Sequence, residues 1–348
     1  MTRPDAGRRA RLRELVAGGR TLAVPGATDA LSARLIEAHG FECVYIGSYA
    51  TAASRYALPD TGLLSLDDLA AHAKSIASAV SVPVIADAEG GFNEPAEMWR
   101  TVHAFERAGV CAIHIEDHEG SGKHTDLPQR LRPMEEAAAR IRAAVEARSS
   151  ADFLIAARSD ATWIHGDFED TVRRLQAYAA AGADLVFPTG VSAAQLAEIR
   201  HRVPRPAMIV DMPGATLDDE TRAGAAIVLY YGMSVLVHYD ALDRALATFK
   251  ATRDASAIPG YRERVQAFEE FMGYREFAAR APRRRGAEGQ AVIARRTLFA
   301  VRLHLPQGRN PQWPWSAASS ASRSGRSSRR TLTRSRCPIP SPSPPATP

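Results

Sequence analysis

The sequence has few cysteines, and the three that it contains, Cys43, Cys111 and Cys337, are widely spaced. This spacing indicates neither a disulfide framework nor a zinc site. The sequence also lacks any apolar run near the roughly 18 residues that a membrane-spanning helix needs, and its first residues lack the apolar core of a secretory signal. We therefore expect a soluble, cytoplasmic protein that has no membrane partner.

Lysine is rare in this chain, which has three lysines and 41 arginines. The formal net charge is +5, but the positive charge is concentrated at one end of the chain. From Ala281 onward there are 13 arginines and a single acid, Glu288, so the preceding residues carry 31 basic and 38 acidic side chains, a net charge of −7. The folded part therefore has no excess of basic residues to bind nucleic acid, and we expect no such partner for it.

Residues 281–348 differ from the rest of the chain in composition. They are rich in arginine, serine and proline and show no periodic placement of apolar residues. Such a segment cannot bury enough apolar surface to order itself. We therefore expect a folded domain over residues 1–280 and a disordered tail over residues 281–348. Because similar runs arise when a GC-rich gene is read out of frame, a second hypothesis is that the tail is a frameshift product.

Eight short apolar or β-branched runs recur along the first 280 residues, with amphipathic, helix-like stretches between them. The runs begin at Thr21, Cys43, Pro83, Cys111, Phe153, Asp184, Ala207 and Ala225. This alternation is typical of parallel strands joined by crossover helices. Eight such units predict a closed α/β fold, the (β/α)₈ TIM barrel, rather than an open doubly wound sheet. The residues before Thr21 predict a helix at the bottom of the barrel, and Tyr261 to about Ala279 a final helix.

Polar side chains follow five of these runs. In chain order they are Gly47-Ser48-Tyr49, Asp87-Ala88-Glu89, Glu116-Asp117-His118, Arg158-Ser159-Asp160 and Asp211. Since the active sites of such barrels lie at the carboxyl ends of the strands, we expect these residues on one rim. Crowded carboxylates repel one another unless a cation lies among them. The acids Asp87, Glu89 and Glu116 therefore predict a site for Mg²⁺, or for Mn²⁺ in its place.

Each of these residues also has a simpler interpretation. A single acid after a strand can cap the next helix or pair with an arginine. Arg158 can form an ion pair with Asp87 or Glu116, although its guanidinium also suits a substrate carboxylate. Gly47 and Ser48 can present backbone donors to an anion, but a Gly-Ser turn is common. The occurrence of three acids together is what favours a metal site.

Several segments between Val24 and Ala279 resemble those of the isocitrate lyase and phosphoenolpyruvate mutase superfamily, in the same order. They include LPDTGLLSLDDL, PVIADAEGGF, AGVCAIHIEDH and IAARSDA. The resemblance implies that Asp87 binds Mg²⁺ directly, that Glu89 and Glu116 hold metal-bound waters, and that Arg158 and the Gly47-Ser48-Tyr49 loop bind a small anionic oxo-acid. It also implies a homotetramer or homodimer in which the C-terminal helix packs on a neighbouring subunit. Members share a metal-stabilised enolate of pyruvate as intermediate.

The chain departs from the superfamily pattern in a loop and at one strand end. The lyases have a Lys-Arg-Cys-Gly-His loop, whereas residues 119–126 read EGSGKHTD and lack the cysteine. Ordinary isocitrate or methylisocitrate cleavage is therefore not expected, because an acid–base group is missing. Lys123 and Thr125 resemble instead the loop of phosphonopyruvate-handling members. Thr189 stands where a glutamate often follows the sixth run, and we include it among the substrate-binding residues.

Lys123 is the predicted catalytic residue of the loop, together with Arg158 at the fifth strand. The alternative for Lys123 is a solvated loop lysine. His118 and His124 are further candidates for the proton donor, although loop histidines commonly lie on the surface.

The expected function is that of a Mg²⁺-dependent lyase or decarboxylase. Its substrate would be an oxaloacetate-like 2-oxo or 2-hydroxy dicarboxylate, cleaved through an enolate of pyruvate. Two alternatives stay open. The first is P–C bond chemistry, either hydrolysis of phosphonopyruvate or rearrangement of phosphoenolpyruvate. The second is a non-catalytic binding protein built on the same barrel. A Schiff-base aldolase is disfavoured because none of the eight runs supplies a lysine at its end.

Overall fold

Eight parallel strands form one sheet in the computed structural model, which describes residues 4–120 and 123–280. We number them β1 to β8 in chain order: Leu22–Pro25, Val44–Ile46, Val84–Asp87, Ala112–Glu116, Leu154–Ser159, Leu185–Pro188, Ala207–Val210 and Ala225–Tyr230. Each strand coincides with one of the eight apolar runs. The described chain divides after Val265 into two compact units, and the sheet belongs to the first.

The two end strands of the sheet meet and close it into a barrel. Each of β2 to β7 is hydrogen-bonded to the strand next in number, and β8 is hydrogen-bonded to β1. The remaining seam between β1 and β2 is a parallel bridge of Gly26 with Tyr45, next to which the amide of Ala27 donates to the carbonyl of Tyr45 at 2.8 Å. The predicted (β/α)₈ barrel is therefore confirmed.

Side chains alternate between two cores along the strands. Leu22 and Val24 of β1 and Ile85 of β3 belong to the cluster that fills the barrel. Val84 and Ala86 of β3 belong instead to the larger cluster between the strands and the surrounding helices. This alternation is the period of two expected for a strand that is buried on both faces.

One helix precedes the first strand, and the other helices lie between and after the strands. Their bounds are Pro4–Ala17, Ala30–Ala38, Ser48–Thr51, Leu66–Ala77, Met98–Ala108, Met134–Ala147, Ala161–His165, Phe168–Ala180, Ala193–Arg202, Leu217–Ala223, Met233–Thr252, Val265–Met272 and Tyr274–Arg280. Four of them begin at a capping box, in which an N-cap side chain and a side chain three residues later bond each other's amides. The N-caps are Asp29, Ser65, Ser192 and Thr216.

The helix Pro4–Ala17 contributes to the inner core as predicted. Leu12 and Leu15 are buried in the same cluster as the inward side chains of the strands. The prediction of a single final helix from Tyr261 to about Ala279 is wrong, because two short helices occupy this stretch. Gly273 between them has a φ of 83°, a left-handed conformation that ends a helix. The predicted disorder of residues 281–348 lies outside the described residues.

The helix Met233–Thr252 has an unusual surface, because none of its residues is buried. It exposes several large apolar side chains, among them Val237, Tyr239 and Leu246. Apolar patches of this kind commonly mark interaction surfaces. The oligomer stays a prediction. None of the described helices is both long enough and apolar enough to span a membrane.

We expect Gly26→Ala to destabilise the barrel at its closing seam. A Cβ added at Gly26 would lie 2.5 Å from the carbonyl oxygen of Tyr231, and main chain cannot move aside as a flexible side chain can. The free energy of unfolding should fall by about 1–3 kcal/mol in chemical denaturation.

Gly7→Ala is the matched control for this measurement. No described atom lies within 4 Å of a Cβ added there, and Gly7 is in a helix, where alanine is favoured by roughly 1 kcal/mol. Equal stability of the two variants would contradict the tight approach at Gly26.

Candidate active site

The carboxyl ends of β3, β4 and β5 bring three acids and an arginine together. The parallel register places Asp87 beside His114 and Glu116 beside Arg158. Glu89 follows Asp87 in the loop after β3. One oxygen from each of Asp87, Glu89 and Glu116 lies within 4.8 Å of the others. The structure thus places the three predicted metal ligands in one cluster at the barrel rim.

Asp87 is held in position by several donors. Its Oδ2 accepts from the amide of Ser48 at 3.3 Å and from the Ser48 hydroxyl at 3.0 Å, and its Oδ1 accepts from the amide of Glu89 at 2.8 Å. Burial opposes ionisation, but the charges of His114, Lys123 and Arg158 together hold the pKa of Asp87 below its ordinary value. Asp87 is therefore an anion with a fixed orientation.

Glu89 is the strained member of the cluster. Its backbone is left-handed with a φ of 47°, a conformation that costs energy for a residue with a side chain. Its Oε1 is buried without a hydrogen-bond partner among the described residues. Burial and the charges of Asp87 and Glu116, opposed by Lys123, raise the pKa of Glu89 to about 8. An orphaned carboxylate oxygen of this kind suits a cation or a water bound to one.

The donor set is appropriate for a hard divalent cation. Mg²⁺ prefers oxygen ligands, keeps several waters and needs only one or two direct carboxylates. The cluster offers three carboxylates at short mutual distances, one of them with an unpartnered oxygen. Asp87, Glu89 and Glu116 therefore fit a Mg²⁺ ion with its waters.

Lys123 is buried among these acids rather than solvated in its loop. Its Nζ lies 3.0 Å from Glu116 Oε1 and 3.3 Å from Glu89 Oε2, and the residue is 2% exposed. Burial alone would lower the pKa of Lys123, but Glu116 and Glu89 raise it well above its usual range. The ammonium group is thus a fixed positive charge beside two of the three candidate metal ligands.

Arg158 takes part in ion pairs and also faces the cavity. Its Nη1 lies 3.1 Å from Glu116 Oε2, while its Nε and Nη2 bind the two oxygens of Asp160 at 2.7 and 3.2 Å. The predicted pairing with Glu116 is therefore present, and Asp87 is not its direct partner. A guanidinium has five N–H groups, so the three contacts leave two for a substrate carboxylate.

A cavity of about 250 Å³ is lined by Asp87 of this cluster. Glu89 and Glu116 line a second cavity of about 230 Å³, and Lys123 lines both. The described lining of the first, which we call the main cavity, comprises Tyr45, Gly47, Ser48, Tyr49, Asp60, Asp87, Lys123, His124, Arg158, Trp163, Phe187, Thr189, Gly190, Val210 and Tyr231. The predicted substrate-binding residues Gly47, Ser48, Tyr49, Arg158 and Thr189 are all among them. Thr189 also donates its hydroxyl to Asp160 Oδ1 at 2.6 Å, which ties it to the partner of Arg158.

The Gly47–Ser48 turn is fixed from behind by the helix Leu66–Ala77. The hydroxyl of Thr51 donates to the Gly47 carbonyl at 2.8 Å and lies 2.9 Å from Nδ1 of His72. Burial lowers the pKa of His72 to about 4, so its ring is neutral near pH 7. The backbone donor of Ser48 is therefore held rigidly toward Asp87.

The two loop histidines lie in different surroundings. His124 lines the main cavity, and its Nε2 is 3.4 Å from Asp60 Oδ2. His118 forms a short antiparallel ladder with Leu131 and bonds Gln129 at 2.7 Å, away from the main cavity. Asp211, the predicted rim acid after β7, is not among the described residues that line the main cavity. Of these three residues, only His124 is placed to meet a ligand in this cavity.

Sequence reasoning missed several residues of the site. Tyr45 and His114 lie inside strands, and their side chains meet in the barrel, with the Tyr45 hydroxyl 3.0 Å from His114 Nε2. His114 Nδ1 is 3.6 Å from Asp87 Oδ1, so this pair lies directly behind the acid cluster. A polar residue within an otherwise apolar strand was the available signal. Asp60 comes from a loop and Trp163 from the short helix Ala161–His165, and no local pattern marks them.

Comparison with known proteins identifies similar chains. The family model for phosphoenolpyruvate phosphomutase matches residues 12–250. The 2,3-dimethylmalate lyase of Eubacterium barkeri is 40% identical over 179 residues, which cover 51% of this chain and 62% of that relative, or less than two thirds of its length. The 2-methylisocitrate lyase of Shewanella oneidensis is 33% identical over 229 residues, 63% of this chain and 77% of the relative.

A solved structure of phosphonopyruvate hydrolase, in complex with oxalate and Mg²⁺, has a similar fold. Its TM-score is 0.71 at 27% identity, over 78% of this chain and 97% of the hydrolase. The similarity therefore extends over nearly the whole of that protein.

We expect Asp87→Asn to weaken Mg²⁺ binding by at least about tenfold in isothermal titration calorimetry, because it removes the charge of the most rigidly held carboxylate. Asp211→Asn is the control, since Asp211 follows β7 but does not line the cavity. Equal affinities in the two variants would show that the cation binds elsewhere.

We also expect Mg²⁺ to expose Lys123 to a lysine-reactive reagent. The ammonium group and the cation bind the same carboxylates, so binding of the cation should repel it. Peptide-resolved mass spectrometry can follow the labelling of Lys123. Lys74 and Lys250 are exposed and serve as internal controls. Labelling of Lys123 should be slower than that of the controls without Mg²⁺ and should rise when it is added. An unchanged labelling rate would mean that Mg²⁺ and the ammonium group of Lys123 occupy the acid cluster together.

Proposed function

The chain belongs to the phosphoenolpyruvate mutase and isocitrate lyase superfamily, and on that premise we propose that it is a Mg²⁺-dependent lyase or decarboxylase. Its substrate is an oxaloacetate-like 2-oxo or 2-hydroxy dicarboxylate, cleaved through an enolate of pyruvate. Both curated relatives are lyases by name, in agreement with the expected enzyme class. The observation that supports the proposal most strongly is the cluster of Asp87, Glu89 and Glu116 beside Arg158, of which Asp87 and Arg158 line one cavity.

The chain's own residues bind and orient the substrate in this proposal. The two remaining N–H groups of Arg158 receive the carboxylate next to the oxo group. Tyr49 and Thr189 line the same cavity. Asp87, Glu89 and Glu116 would hold Mg²⁺, which would stabilise the negative charge that develops on the enolate oxygen.

The bond cleavage needs an electron sink and a place for the departing group. In a 2-oxo substrate, the bond between carbons 3 and 4 breaks, CO₂ leaves, and the electron pair remains as the enolate of pyruvate. Carbon 3 then takes a proton from water. Lys123 is a weak acid while it is paired with Glu116, because its pKa is raised. We therefore assign Lys123 the role of a positive charge near the departing carboxyl group.

Cleavage of a P–C bond is the second candidate. The phosphonopyruvate hydrolase complex carries oxalate and Mg²⁺ on a fold that resembles this chain. Lys123 lines the cavity and could face a phosphoryl group as readily as a carboxyl group, since both are anions. The same acid cluster and Arg158 would then hold the enolate while water accepts the phosphoryl group and phosphate is released.

Assays with two substrates test both candidates. Purified protein with Mg²⁺ should release pyruvate from oxaloacetate faster than a protein-free solution that contains the same Mg²⁺. Chelation with EDTA should abolish the protein-dependent part, and Asp87→Ala should lower it by at least about a hundredfold.

A parallel assay with phosphonopyruvate, followed by release of phosphate, tests the P–C alternative. Phosphate release without pyruvate release from oxaloacetate would favour the second candidate. Pyruvate from neither substrate would count against both. Full activity in Asp87→Ala would exclude the metal-site mechanism.

A further inference from the structure

The acid cluster borders two cavities, and its three acids are divided between them. Asp87 lines the main cavity, whereas Glu89 and Glu116 line the second cavity. We call the second one, which Glu94 also lines, the side cavity. Since one oxygen from each acid of the cluster lies within 4.8 Å of the others, a cation bound to all three would face both cavities.

The side cavity extends from solvent to the acid cluster. At one end its lining residues Gly62, Glu94 and Gly120 are exposed to solvent. At the other end Glu116 and Lys123 are 4% and 2% exposed. Its volume of about 230 Å³ is sufficient for a cation with six waters, which occupy roughly 180 Å³ in the liquid. The side cavity can therefore contain a hydrated Mg²⁺ ion on its way to the cluster.

The charges of the side cavity suit a cation that passes through it. The outer end carries the carboxylate of Glu94, whose side chain is 74% exposed, and the inner end carries the unpartnered Oε1 of Glu89. Carboxylates at both ends attract a cation inward. The basic side chains among the described lining residues are each paired with an acid at 2.9 to 3.0 Å, namely Arg132, Arg140 and Lys123.

The main cavity is less suited to this traffic. Arg158 lines it and has N–H groups left for a substrate carboxylate, so a bound substrate would occupy the space beside Asp87. The side that Glu89 and Glu116 present to the side cavity would stay accessible in that state.

We infer that the side cavity is the entrance through which the divalent cation reaches and leaves the acid cluster, separate from the main cavity that admits the substrate. This inference rests on the metal site of the proposed function, but it does not depend on which bond is cleaved. The cation can then enter and leave without crossing the main cavity.

Gly90→Leu tests the inference by filling the side cavity, which Gly90 lines. A Cβ added there would lie 3.5 Å from the carbonyl oxygen of His118 and 3.8 Å from Nε of Arg132, both ordinary contacts. A blocked entrance raises the barrier to entry and to exit by the same amount, so the rates change and the dissociation constant does not. With Mn²⁺ as the probe, release into an excess of a fluorescent chelator should slow by at least about tenfold. The dissociation constant, from the electron paramagnetic resonance signal of free Mn²⁺, should stay the same.

Val210→Phe is the matched control, because Val210 lines the main cavity. It should weaken the binding of oxalate in the presence of Mg²⁺ by at least about fivefold, since the larger side chain overfills that cavity. The rate of Mn²⁺ release should not change. If circular dichroism shows that Gly90→Leu is unfolded, Gly90→Val makes the same test with a smaller side chain, and release should slow by at least about threefold.

The outcomes separate failure of the entrance from failure of the metal site. An unchanged release rate on substitution of Gly90, or slowing of equal or greater size in Val210→Phe, would overturn the inference alone. A weaker dissociation constant with an unchanged association rate would do the same, because Gly90 would then affect the bound ion and not its path. Absence of Mn²⁺ binding to the wild-type protein would overturn both the entrance and the metal site.

Discussion

The burial of three carboxylates at neighbouring strand ends is the constraint on which the rest of the rim depends. Asp87, Glu89 and Glu116 lie within one small cluster, where like charges repel strongly because little water screens them. The chain opposes this repulsion with the ammonium of Lys123 and the guanidinium of Arg158. Even so, one oxygen of Glu89 is left without a partner, and the pKa of this residue remains high. The cluster is therefore incompletely neutralised, which is the property that a divalent cation would satisfy.

The barrel makes such a cluster possible because its register fixes the acids before any ligand arrives. Parallel pairing of β4 with β5 sets Glu116 beside Arg158, and pairing of β3 with β4 sets Asp87 beside His114. These contacts need no flexible loop to form. The strain at Glu89 is tolerated for the same reason, since the strands on either side hold the loop in place. Because these residues are already fixed in place, the site loses less conformational entropy when a substrate binds.

The sequence predicted the barrel and the cluster for one shared reason. Apolar runs reveal strands, and the polar residue that ends a run must lie at the rim, so Asp87, Glu116 and Arg158 could be assigned from position alone. Tyr45 and His114 escaped this reasoning because their positions inside strands look like core positions. The burial of Lys123 could not be predicted either, since it depends on how the loop folds back over the acids. The division of the last helix at Gly273 likewise depends on one backbone conformation that glycine permits but does not require.

The structure separates the residues suited to chemistry from those suited to selection. Asp87, Glu116 and Arg158 come from strand ends, whose positions are fixed by the sheet, whereas Glu89, Trp163 and His124 come from the segments that follow the strands. A change at Trp163 or His124 can therefore alter the lining of the cavity without moving Asp87 or Arg158. Lys123 and His124 show both effects, because the ammonium group of Lys123 contacts Glu116, whereas the ring of His124 lies 5.1 Å from that of Trp163. Two adjacent residues therefore serve two different parts of the site, the acid cluster and the aromatic wall of the cavity.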